Sequence, residues 1–221
     1  MTEAPKPNRG GRPRVSEPGA IAAVGLRLFA ERGYDAVTMA DIADACGIGR
    51  STLLRYFASK ADIVWDRSDD EVAALAKSLR TVPRSADALA ALCTELAGML
   101  TYDDADLDLL RTQVDIISES LNASPLFSAR FRPWESVVTG FITERMSREV
   151  DDLYTKLLTQ NLFSAGWTAL TVWVKSDEHR PDRLLAEAFE LVYSGFSAAD
   201  GSATGIRIPL HPNGTSPDPC R

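Results

Sequence analysis

The sequence predicts an all-α chain of about nine helices. Three N-terminal helices form a helix-turn-helix unit, and the rest form a helical bundle. Three observations carry this. From Ser85 to Phe196 apolar residues recur at i, i+3, i+4 and i+7, which places them on one side of a helix. No stretch alternates apolar and polar residues as a half-buried strand would. Helix punctuation falls between the stripes, with Gly33 and Gly47 at ends, Pro83 as a stop, and Pro125 and Pro181 as starts.

Taken in order, residues 1–16 are rich in Pro, Gly and Arg and are expected to stay disordered. The first helix, 18–32, buries Ile21, Val24, Leu28 and Phe29. Thr38 is placed to cap the second helix through its hydroxyl. Met39, Ile42, Ala43 and Cys46 then form its apolar stripe. Gly47 stands where a helix stops by turning left-handed, and Ile48 plugs the turn. In the third helix Leu53 and Phe57 bury the back, which leaves Arg50, Ser51, Thr52, Arg55 and Tyr56 off the buried stripe. A short helix, a tight turn and a donor-rich second helix make a helix-turn-helix, whose second helix suits a DNA major groove. Ser59 caps a fourth helix running to about residue 79. Its apolar positions Ile63, Val64, Val72, Leu75 and Leu79 are interrupted by the polar stretch 66–71.

The remaining helices are expected at 86–100, 106–120, 125–147, 151–175 and 181–196. Pro133 lies inside the third of these and should kink or split it. The last two carry apolar residues on more than one side, among them Leu157, Phe163, Trp167, Leu184, Leu191 and Phe196. One side fills the subunit's own core, and the surplus needs a partner. Residues 199–221 form a Gly-, Pro- and Ser-rich tail.

Composition bounds the function. The 221 residues are 45% hydrophobic and 25% charged, ordinary for a globular protein. No apolar run approaches the roughly 20 residues a bilayer requires, and the polar, basic N-terminus is not a signal peptide. Cys46, Cys93 and Cys220 are expected to be reduced thiols, two of them buried, in a cytoplasmic protein without membrane contact. The net charge of −7 divides into +3 for residues 1–60 and −10 for the remainder, a cationic head on an acidic body. Phosphates would repel the body and so orient the head. No catalytic residue, metal or cofactor is expected. His179 and His211 stand apart from any cluster, and nucleotide and hydrolase fingerprints are absent. The acidic run at Asp103, Asp104, Asp106 and Asp108 lacks the glycine and the terminal glutamate of a calcium loop.

Over residues 15–71 the chain resembles the TetR family of bacterial transcriptional regulators. The likeness rests on Leu28 to Tyr34, Asp41-Ile-Ala43, Cys46-Gly-Ile48, Thr52-Leu53, Tyr56-Phe57 and Ser59-Lys60. It departs at Gly49, where Ser or Thr would supply a side-chain cap, at Leu54, often aromatic in the family, and at Arg50, often Lys. Arginine can fork onto guanine, and leucine can touch a thymine methyl. The resemblance implies phosphate contacts from Thr38, Thr52, Tyr56 and Lys60. It implies base-edge contacts from Arg50, Ser51, Leu54 and Arg55, at a helix opened by Gly49. For Tyr56 the alternative is a ring packed on the core. Arg12 and Arg14 form either a minor-groove arm or a solvated tail.

The same resemblance implies a basic arm at 1–14, a DNA-binding domain at 15–75, an effector-binding and dimerisation domain at 76–198, and a tail at 199–221. It further implies a homodimeric repressor of a palindromic operator, joined through the last two helices and released by a small, largely apolar effector. Met99, Tyr102, Arg111, Gln113, Phe127, Phe131, Trp134, Phe163 and Trp167 are the candidate effector contacts. The alternative is an architectural or protein-interaction helix-turn-helix protein with no effector.

Overall fold

The computed structural model describes residues 17–99, 104–121 and 125–201. Arg12, Arg14, Tyr102 and Cys220 lie outside these residues, as does the side chain of Phe127. All the regular structure among the described residues is helical. Helix α1 (Pro18–Arg32) starts on a proline, whose fixed φ suits the first turn, and ends at Gly33. Helix α2 (Met39–Cys46) opens with a capping box. Asp41 N–H donates to the Thr38 hydroxyl oxygen, and Thr38 N–H donates to the Asp41 carboxylate. It closes at Gly47, whose φ of 69° lies in the left-handed region. Helix α3 (Arg50–Tyr56) follows Gly49 with no side-chain cap. Ser59 and Asp62 form a second capping box that opens α4 (Lys60–Val64).

Here the structure corrects an expectation. The single helix expected from Ser59 to about Leu79 is two helices, α4 and α5 (Ser68–Thr81). Ile63, Val64 and Trp65 are all buried. Three consecutive residues fan across about 200° of a helix and cannot share one face. The backbone leaves the helix at Trp65, which lets all three enter the core, and α5 starts afresh at Ser68.

The body consists of α6 (Ala88–Met99), α7 (Asp104–Ile116), a π turn at Ile117–Leu121, α8 (Pro125–Met146), α9 (Leu153–Val174) and α10 (Asp182–Gly201). Pro133 does not split α8. Its ring stands on the exposed side, where water can satisfy the carbonyl left without an N–H donor.

Two buried cores organise the molecule. The first joins Ile21, Phe29, Ile42, Leu53, Phe57 and Ile63, and takes in Ile116 and Ile117 from the end of α7 and the π turn. The second joins α5 to α10 through residues such as Leu75, Leu92, Leu107, Ile142, Leu158 and Trp173. Gly25 is needed where α1 crosses α4, since a Cβ there would stand 2.7 Å from the Ile63 side chain. No helix among the described residues is long and apolar enough to cross a membrane.

Candidate nucleic-acid interface and effector cavity

Helix α3 is anchored by its back. Leu53 is wholly buried and Phe57 nearly so. That fixes the opposite side outward, where Arg50, Ser51, Leu54, Arg55 and Tyr56 are exposed and Thr52 is half-buried. Leu54 and Tyr56 keep 44% and 43% of their surface in solvent. Exposed apolar groups at the centre of a donor-rich face suit base edges and sugar better than water. The Tyr56 ring is therefore not packed away in the core.

Two expected phosphate donors are partly committed within the chain. The Thr38 hydroxyl donates to Asp41 Oδ2 at 2.5 Å. Lys60 Nζ donates to the Tyr34 carbonyl at 2.6 Å and sits 4.4 Å from the Tyr34 ring centroid. Lys60 Nζ donates to the Asp35 carbonyl as well, at 3.5 Å, so the ammonium pins the loop that leads into α2.

In the body, Met99, Gln113, Phe131, Trp134, Phe163 and Trp167 share the wall of one cavity of about 130 Å³. Phe131 stacks edge-on to Phe163 and Trp167 at 6.0 and 6.4 Å. Trp65 and Ser68, missed from the sequence, line it too. The signal for Trp65 was an aromatic at the end of an apolar run. What hid it was the expected continuation of the helix.

Arg111 is elsewhere, which corrects its expected place as an inward polar group. It donates to the carbonyls of Trp173 (3.2 Å), Val174 (3.1 Å) and Glu178, with its guanidinium 4.2 Å from the Trp173 ring centroid. The last carbonyls of a helix run short of intrahelical N–H partners, and a cation is a natural cap for them; at Trp173 the guanidinium shares the carbonyl with Ser176 N–H. Cys46 and Cys93 are buried. Burial, helped by Glu190 and Asp87, pushes the Cys93 thiol up to about 12.

The head is joined to this cavity by specific bonds. Gln113 Nε2 donates to the Val64 carbonyl at 2.6 Å, and Trp134 Nε1 to the Ser68 hydroxyl at 3.2 Å. Trp65 meets Phe131 edge-on at 5.5 Å.

Comparison with known proteins gives this arrangement its family. Residues 21–65 match the model of bacterial regulatory proteins of the tetR family, and residues 86–197 match that of the MftR C-terminal domain. The chain belongs to the TetR family. As a TetR-family protein it is a DNA-binding transcriptional regulator. It is 27% identical over 191 residues to MftR of Mycobacterium tuberculosis (strain ATCC 25618 / H37Rv), a proposed mycofactocin biosynthesis transcriptional regulator; the match covers 86% of this chain and 96% of that one. Its fold resembles that of the Thermus thermophilus TetR-family repressor FadR in complex with lauroyl-CoA, with a TM-score of 0.60 and 18% identity over 90% of this chain and all of the other. It is also similar to FadR of Bacillus subtilis in complex with stearoyl-CoA, with a TM-score of 0.58 and 20% identity over 79% and 97% of the two chains.

Proposed function

We propose that this TetR-family regulator is a homodimeric repressor that holds a palindromic operator and releases it when a small, largely apolar effector enters the body. The exposed outer side of α3, held outward by the buried Leu53, carries this reading. In it Arg50, Ser51, Leu54 and Arg55 address base edges, while Thr38, Thr52, Tyr56 and Lys60 hold phosphates. Arg12 and Arg14 would add an arm in the minor groove. In this reading DNA contact lies in 15–75 and effector binding and pairing in 76–198.

Apolar surface on the last helix pair supports pairing. Leu153 of α9 and Leu191 of α10 leave 70% and 71% of their surface in solvent, and Leu157 and Val172 are exposed further along α9. A two-fold dimer presents two α3 helices to half-sites separated by whole turns of DNA. The aromatic wall of the cavity supports an apolar effector, and its size favours a small one.

Selection from a random duplex pool, followed by footprinting, tests the DNA half. Enrichment of a palindrome is expected. Equal retention of scrambled duplex would instead indicate an architectural protein. Tryptophan emission titrated with naphthalene, with lauroyl-CoA as a second arm, tests the effector half. A response coupled to release of the selected duplex is expected for the small neutral aromatic. A response to lauroyl-CoA alone would move the effector class to acyl thioesters.

A further inference from the structure

Helix α4 has five residues, too few to hold a helix on their own, so its place is set by whatever grips its ends. The grip at its N-terminus runs through one carboxylate. Asp62 Oδ2 accepts from Ser59 N–H and from the Ser59 hydroxyl, both at 2.9 Å, and so completes the capping box. Asp62 Oδ1 accepts from Arg130 Nη2 of α8. Both side chains are about two-thirds buried, and a pair so placed is screened by salt less than a surface pair. One turn further along α8, Trp134 donates to Ser68, the first residue of α5. A single face of α8 thereby holds the first turns of both helices on either side of the break at Trp65. At the other end of α4 the Gln113 amide holds the Val64 carbonyl. Lys60, the first residue of α4, in turn holds the Tyr34 carbonyl ahead of the Thr38 cap.

We propose that Arg130 is a positioning residue for DNA binding. Its ion pair with Asp62 fixes α4 against the body, and α4, through Lys60 at the loop before α2 and Ile63 against α1, fixes the head that carries the reading helix α3. Arg130 itself touches no DNA. Phe131, the next residue, and Trp134 line the cavity, so whatever enters the cavity acts on the same face of α8. This inference rests on the reading of α3 as the operator-reading element.

The test uses the full-length protein and a duplex selected by the wild type. Arg130→Met keeps the bulk of the side chain and removes its charge; Arg130→Lys keeps the charge. Arg130→Gln replaces the methionine variant should that fail to fold. Amide hydrogen exchange across residues 60–65 is followed together with duplex affinity over a salt series. For Arg130→Met, faster exchange in α4 and a loss of affinity of about two- to thirtyfold are expected. The slope of log affinity against log salt should stay unchanged, because no phosphate contact is removed. Arg130→Lys should restore most of both.

Wild-type exchange and affinity in Arg130→Met would overturn the proposal. So would a salt slope shallower by about one, which would make Arg130 a phosphate contact instead. If the wild type selects no duplex at all, the repressor reading fails. The exchange measurement still decides the grip on α4 in that case.

Discussion

At the scale of single residues, side chains on the same small unit are expected to fail in different ways. Arg50 is exposed at the start of α3, where its guanidinium can fork onto guanine. Arg50→Ala should cost about 1–3 kcal/mol on the best operator and relax preference at one base pair, read by competition between selected and point-changed duplexes. Lys60→Ala should weaken binding to all sequences alike and flatten the salt dependence, because it removes a charge and frees the Tyr34 loop. Thr38 sets a pH dependence. Its hydroxyl and its N–H both donate to Asp41, which holds that carboxyl below its ordinary 3.8. A depressed carboxyl stabilises the fold above its unfolded value, and this stability is lost as pH falls through the folded one. Thr38→Val should therefore melt earlier than the wild type at pH 7, with the gap closing as the pH drops below 3.8. The sequence made much of this legible: the capping box is a three-residue spacing, and the outward set on α3 follows from Leu53 and Phe57. It could not show that Lys60 would reach back 26 residues to a carbonyl.

At the scale of elements, close approach and helix ends decide. Gly25→Ala would drive a methyl into Ile63 where α1 crosses α4. A cost of about 1–3 kcal/mol is expected, measured by denaturant unfolding. Helix α8 ends with Ser147 at a φ of 52°, and Arg148 N–H returns to the Thr143 carbonyl at 3.3 Å. That is the wrapped helix end that glycine usually supplies. Ser147→Gly should therefore be neutral or stabilising by up to about 1 kcal/mol in the same assay. The two elements differ in what sequence could say of them. The expected end of α8, 147, lies one residue from the observed Met146, because its stripe and flanking residues are local. The break between α4 and α5 escaped, because it depends on a core that only the folded head creates around Trp65.

At the scale of the whole molecule, the acidic body and cationic head come together with apolar residues on the last two helices that are exposed in the subunit. Leu191→Glu places a charge on the exposed side of α10 and should leave the fold intact. Under the proposed pairing it should halve the sedimenting mass and cost most of the affinity for a two-half-site duplex. An unchanged mass would move the interface elsewhere. The sequence by itself determined the helical class, the helix-turn-helix and the outward set on α3, since caps, glycine turns and apolar periods act within a few residues. Only the tertiary structure decided where Arg111 and Arg130 went. Each found partners more than sixty residues away, Arg111 at the last carbonyls of α9 and Arg130 at Asp62. A charged side chain takes its place from the carbonyl or carboxylate that folding brings beside it, and no local spacing encodes that meeting.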